Sequence, residues 1–123
     1  MAPGDQGVEP VEPSPARKRV SARLEELEAL ASQLIRERAG VVEASLESNA
    51  DDEHDPEGVT IGFERAQLDA TIASTGEQIG RLRNALERID AGSYGSCEVC
   101  GQPIPEARLE VRPDATRCVQ HAN

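Results

Sequence analysis

Gly92-Ser93-Tyr94-Gly95-Ser96-Cys97-Glu98-Val99-Cys100-Gly101, followed later by Cys118-Val119-Gln120-His121, holds every cysteine of the chain. Two Cys-x-x-(Cys/His) pairs separated by seventeen residues match the ligand spacing of a structural zinc site, in which four soft or borderline donors close a tetrahedron. The ligand set read here is Cys97, Cys100, Cys118 and His121, and it holds one structural Zn2+. Each pair must fold its backbone sharply around the ion, and Gly95 and Gly101 stand beside the first pair, where positive φ is needed. A thioredoxin-like redox pair would require Cys-x-x-Cys between a strand and a helix of a βαβ unit, and nothing in the chain reads that way. Three free thiols beside a stray histidine is the bland alternative, and the spacing of all the cysteines at once argues against it. His121 is the weakest of the four ligands, two residues from the last one.

Working outward, the bulk composition explains why a metal is needed. The 123 residues include one Phe, one Tyr and no Trp, too little large apolar material for an ordinary globular core. Stability then has to come from helix pairing and from zinc, which contributes on the order of 10 kcal/mol or more to a small domain. The net charge of -10 opposes adhesion to nucleic acid, and the arginines after Gly92 are outnumbered by acids, whereas a DNA-reading finger is basic on one face. No apolar run reaches membrane-spanning length and no signal peptide is read, so a cytoplasmic protein without membrane contact is expected, in a compartment where thiolates stay reduced.

Immediately before Gly92 lies a heptad-like seam, Leu68, Ile72, Thr75, Ile79, Leu82, Leu86 and Ile89, with Gly92 as the residue that ends the helix. Asp55-Pro56 announces its start, an N-cap acid followed by proline at the first helical position. A second stripe runs from Val20 to about Asn49 through Leu24, Leu27, Ala31, Leu34, Ile35, Val42 and Leu46. Residues 1–18 are Pro-rich and without periodicity, and are expected to be a disordered arm.

The stripes test each other. In an antiparallel hairpin, residues at equal height have numbers that add to a constant. Val20 with Leu86, Leu24 with Leu82, Leu27 with Ile79, Ala31 with Thr75 and Leu34 with Ile72 all add to 106. The shared register puts the reversal at Glu53, within a slip of a residue or two. The fold class expected is mainly α: a long antiparallel two-helix coiled-coil hairpin over 19–91, followed by a small zinc-finger domain with a short helix over 92–123. The residues from Glu53 to Ile89 would span about 50 Å at the helical rise.

That reversal carries Asp51-Asp52-Glu53-His54-Asp55-Pro56-Glu57, five carboxylates in seven residues. A solvated turn whose Asp55 merely caps a helix accounts for it on physics alone. An EF-hand is excluded, since the sixth-position Gly and the terminal bidentate Glu are missing. Acid–base hydrolysis needs a pocket that perturbs carboxylate pKa values, which a narrow tip does not offer. Any function must come from placing negative charge inside a partner.

A helical hairpin with an acidic tip, then residues 89–104 around Cys97 and Cys100, then Arg108-Leu109-Glu110-Val111-Arg112-Pro113 and Cys118, resembles the DksA/TraR zinc-finger family of bacterial transcription regulators. The resemblance covers about Val20 to His121. It implies a cytoplasmic, non-enzymatic, monomeric protein that binds RNA polymerase directly, without sequence-specific DNA binding. The hairpin would enter the polymerase secondary channel and bring the tip residues Asp51, Asp52, Glu53, Asp55 and Glu57 near the active site. Arg108 and Arg112 are then candidate contacts to the channel rim or to the alarmone ppGpp; pairing with Glu106 and Glu110 is the alternative. Two departures stand out: His121 replaces the fourth cysteine, and in the tip signature Asp-x-x-Asp-x-Ala, met by Asp52 and Asp55, Glu57 stands where the small residue belongs. The second implies a tip activity that differs in strength or sign. A zinc-stabilised DNA-binding module and a stress-associated interaction protein with another partner are the competing readings.

Overall fold

The structure, a computed structural model, describes residues 13–49 and 56–122, with side chains described outside 47–58. Two long helices, α1 (Pro15–Asn49) and α2 (Pro56–Ala91), are followed by a short α3 (Glu106–Val111) and a single 3-10 turn, Val119–His121. The long helices pack as an antiparallel hairpin. Among the described residues the only β pairing is an isolated bridge between Ser96 and Pro103.

The start of α1 departs from expectation. The arm expected over 1–18 gives way to helix at Pro15, because Ser14 caps it: its hydroxyl accepts from the Arg17 N–H at 3.1 Å and its carbonyl from the Lys18 N–H at 3.0 Å. Ser followed by Pro at the first helical position is a start signal that outweighs the proline-rich composition around it. Residues 1–12 lie outside the described residues. At the other end, α2 stops where its glycine predicts. Gly92 has φ +79, its N–H donates to the Ile89 carbonyl at 3.2 Å, and the Ser93 N–H donates to the Arg88 carbonyl at 2.9 Å. Those two bonds make a Schellman stop that satisfies the last carbonyls of the helix.

The chain divides into two compact units, one made of residues 13–22 and 85–122 and one of Arg23–Asn84. In the first, Val20 and Ala85 are fully buried between the helices, Leu86 is half-buried, and Arg17 pairs with Asp90 across the hairpin. In the second, Leu24, Leu27, Leu34, Thr75, Ile79 and Leu82 are buried and Ile72 is half-buried, as the shared register requires. Each buried Leu or Ile contributes about 1.5–3 kcal/mol of transfer free energy.

Ion pairs across the hairpin supply an independent reading of the register. Arg17 with Asp90 and Arg38 with Asp69 both add to 107, one residue from the seam constant, while the longer reach of Arg83 to Glu28, 2.9 Å, adds to 111. Beyond Leu34 the seam loosens. Val42 and Leu68 are half-buried, and Ile35 and Leu46 are 55% and 68% exposed, so these two stripe members leave the core. The expected reversal at Glu53, and Asp51, Asp52, Glu53, Asp55 and the side chain of Glu57 with it, lie outside the described residues.

Candidate metal centre

The sequence after α2 cannot bury much, and it folds by short backbone loops instead. The Gly101 N–H donates to the Cys97 carbonyl at 2.9 Å, closing the first knuckle, and the Cys97 N–H donates to the Gln102 carbonyl at 2.8 Å. Gly95 (φ +87) and Gly101 (φ +76) supply the left-handed backbone that these turns need, and that a side chain would strain. The Glu98 N–H donates to the Thr116 carbonyl at 2.9 Å, which lays the first knuckle against the segment entering the second. There the 3-10 turn closes through the His121 N–H to the Cys118 carbonyl at 3.0 Å, bringing His121 back over Cys118.

The four expected ligands converge. One donor atom from each of Cys97, Cys100, Cys118 and His121 lies within 4.8 Å of all the others. Cys100 Sγ and Cys118 Sγ are 3.8 Å apart, as are Cys97 Sγ and His121 Nδ1, and Cys118 Sγ is 3.2 Å from His121 Nδ1. A tetrahedron with Zn–S bonds of about 2.3 Å has sulfur–sulfur edges of about 3.8 Å, and slightly shorter sulfur–nitrogen edges. The donors therefore fit one zinc ion. With all four positions taken by protein, zinc here supplies cross-linking of the fold and no open position for substrate.

Electrostatics favour the same ion. Burial pushes the Cys97 thiol up, but the backbone N–H groups of Cys118, Cys100 and Val99 more than offset it and bring it down to about 6. Contact with His121 lowers Cys118, and the same contact raises His121. At Cys100 the Gln102 N–H favours thiolate, yet desolvation and the neighbouring Cys97 and Cys118 sulfurs outweigh it and raise the thiol. Zinc takes thiolates and neutral imidazole, so binding at neutral pH must expel the proton held by Cys100, and it competes with protonation of His121, which the Cys118 contact favours. Cys97 has a folded pKa below that of a free thiol, so its contribution is complete above the ordinary thiol range and is lost as pH falls through about 6. Zinc affinity, measured by competition with a chelating dye, is expected to fall steeply below about pH 6; an unchanged affinity between neutral pH and pH 5 would contradict the ligand set.

Around the metal, Cys97, Ile104, Leu109, Ala115 and Cys118 form one buried cluster with Tyr94 packed against it. Leu109 is the buried residue of α3. Several residues that carry no sequence signal complete the frame. The Tyr94 hydroxyl donates to the Pro113 carbonyl at 2.7 Å, Arg88 reaches the Ala115 carbonyl at 3.4 Å, and Arg117 pairs with Glu98 at 2.8 Å, holding the Glu98 carboxyl below its usual range. The expected alternative for Arg108 and Arg112 is corrected here. Arg108 Nε donates to the Arg117 carbonyl at 3.0 Å, and Glu106 is engaged at 3.2 Å by Arg19 of α1, while Arg112 is exposed. An arginine beside unsatisfied backbone carbonyls ties a metal loop more tightly than it pairs with a solvated neighbouring acid.

Residues 92–120 match the family described as the prokaryotic DksA/TraR C4-type zinc finger. Over those residues the chain carries a finger of the DksA/TraR type. Its matched range ends one residue before His121, the position at which it departs from a four-cysteine set. The RNA polymerase-binding transcription factor DksA of Caulobacter vibrioides is 52% identical over 42 residues, which are 34% of this chain and 30% of that protein. Protein YteA of Bacillus subtilis is 34% identical over 77 residues, 63% of this chain and 32% of that one, and protein TraR of Escherichia coli is 43% identical over 42 residues, 34% and 56% of the two chains. The chain thus spans about a third of the length of the Caulobacter and Bacillus relatives it matches. Among solved structures, transcription factor DksA2 from Pseudomonas aeruginosa superposes with a TM-score of 0.52 at 21% identity, covering 89% of this chain and 86% of that one, a likeness of fold. Among the described residues no helix is long and apolar enough to cross a membrane.

Proposed function

We propose that this chain is a transcription regulator that acts as a single copy in the cytoplasm and binds RNA polymerase through its secondary channel. The hairpin enters, Asp51, Asp52, Glu53, Asp55 and Glu57 come near the active site, and zinc holds the finger together without chemistry of its own. One observation carries the reading: a finger of the DksA/TraR type follows directly on an antiparallel hairpin whose first helix ends at Asn49 and whose second begins at Pro56, with the acid-rich run of the sequence between those two ends. Helices of 35 and 36 residues rise about 50 Å each, long enough to reach deep into a narrow opening. Negative charge entering a basic, metal-containing channel gives favourable encounter and orientation, and it weakens with salt.

Arg108 and Arg112 are proposed contacts to the channel rim or to ppGpp, with Arg112 the more available because Arg108 also ties the Arg117 carbonyl. Sequence-specific DNA contact is not part of the mechanism, consistent with a net charge of -10. The test uses purified polymerase, the zinc-loaded full chain and a known secondary-channel ligand as competitor. Competition is expected, and the double variant Asp52→Asn with Asp55→Asn is expected to keep its helix content while its effect on promoter output drops about tenfold, the loss of roughly 1.4 kcal/mol of coupling. Binding without competition would remove the channel, and unaltered binding together with unaltered promoter output in the double variant would remove the tip.

A further inference from the structure

The three sulfurs of the metal centre are not equivalent. Cys97 and Cys118 are 3% and 8% exposed, whereas Cys100 is open to solvent. The Cys97 sulfur also accepts from the backbone N–H groups of Cys118, Cys100 and Val99, while the backbone donor at Cys100 is Gln102. Each such donor draws charge off a thiolate and dulls it as a nucleophile. Burial and donors together protect Cys97 most and leave Cys100 the most reactive of the three.

A cleft of about 290 Å³ opens against that sulfur. Cys100 and Cys118 stand in its wall, and Cys97 and His121 do not. Pro103, Pro105 and Val119 give it an apolar lining, to which Gln102 and Gln120 add two amides. No charged side chain is among the residues that line it. Its volume is near the lower end for small-molecule sites, room for a ligand of several heavy atoms but not for a protein segment.

We propose that Cys100 is the ligand through which this finger exchanges its zinc, and that the cleft beside it admits a small thiol as the incoming donor. Soft sulfur is the donor that zinc already holds here, and the ion imposes no geometry of its own that would bar a substitute. As the thiol's sulfur bonds to the metal, the Cys100 sulfur releases it and takes up the proton that the thiol gives off, so atoms and charge balance. Cys97 and Cys118 keep their hold meanwhile, and the finger need not unfold for the metal to change hands. An uncharged lining on a chain of net charge -10 suits a small neutral or zwitterionic thiol and disfavours a polyanionic chelator. This inference depends on the four-ligand site and stands whether or not polymerase is the partner.

Zinc transfer from the zinc-loaded full chain to a chelating dye tests it, with mercaptoethanol as the thiol. The transfer rate is expected to rise in proportion to mercaptoethanol and to ignore ethylene glycol, its hydroxyl analogue. Gln120→Trp, which fills the cleft, is expected to slow the thiol-dependent transfer about tenfold with zinc affinity unchanged. Val111→Trp, on the exposed side of α3 and outside the cleft, is expected to leave it as it is. In the unaltered zinc-loaded chain, iodoacetamide is expected to label Cys100 many times faster than Cys97 or Cys118, read by peptide mass spectrometry. A rate indifferent to thiol, a Gln120→Trp chain that transfers as fast as the unaltered one, or labelling that begins at Cys97 or Cys118 would each overturn the proposal. Zinc content is measured first, so that a chain holding no metal, which would sink the site itself, is told apart from one that holds it and exchanges it by another route.

Discussion

Stripping zinc with a strong chelator, or replacing Cys118 with serine, is expected to unfold residues 94–121 while the hairpin seam stays formed. The buried cluster of the finger consists of Cys97, Ile104, Leu109, Ala115 and Cys118, and two of these five are themselves ligands. Burial of the remaining Ile, Leu and Ala contributes about 5 kcal/mol in all. A cluster of that size does not by itself hold a loop-rich segment in one conformation. Zinc adds on the order of 10 kcal/mol or more, and the Glu98 N–H bond to the Thr116 carbonyl and the Tyr94 hydroxyl bond to the Pro113 carbonyl depend on the loops it holds. Amide hydrogen exchange is the measurement. Protection at Cys97, Glu98, Gly101 and Ile104 should collapse on metal removal, while amides between Leu24 and Leu34 keep theirs. Protection of the finger that survives the chelator would mean that the metal adds little to its fold.

The second large effect is expected in the seam. Leu82 is 3% exposed and sits level with buried Leu24, so Leu82→Ala should cost about 3 kcal/mol through lost transfer free energy and the cavity left between two helices that cannot close on it. The ion pair of Arg38 with Asp69 lies a short way along the same hairpin, with both side chains more than a third exposed. Its removal by Asp69→Asn should cost under about 1 kcal/mol, because solvent screens it and two side chains regain freedom. Urea unfolding of the zinc-loaded chain compares the two directly. Equal losses would show that the hairpin is held by its charged edges and not by its apolar seam.

The seam itself was legible in the sequence because steps of four and three leave few alternatives, and two stripes sharing a register leave fewer. Gly92 was legible for a similar reason: a glycine directly after the last seam residue has one common use. Pattern reading favours large residues, however, and so it chose Leu86 where the fully buried position is Ala85, and it extended the stripe to Ile35 and Leu46, which are exposed. It also passed over Ser14-Pro15 as one more proline in a proline-rich stretch, although the Ser14 hydroxyl is what starts α1. At the metal centre, the ligand spacing names all four residues that converge. The supporting bonds were not legible. Arg19 meets Glu106 across 87 positions of sequence, and Arg108 turns to a carbonyl nine residues away in place of the acids beside it. Such choices are made by where the loops fall, and no local pattern encodes them.

The register constant has a consequence for how a hairpin of this kind can change length. Inserting one residue into α1 alone would rotate every side chain beyond it by about 100° and move its partners off the constant, so Leu27 would no longer face Ile79. Only additions of a whole heptad, mirrored in both arms, keep the two apolar faces in phase. Lineages that alter the reach of this arm should therefore do so in matched blocks of about fourteen residues, seven on each side of the turn, and chains whose lengths differ by other amounts should carry the difference outside the paired helices.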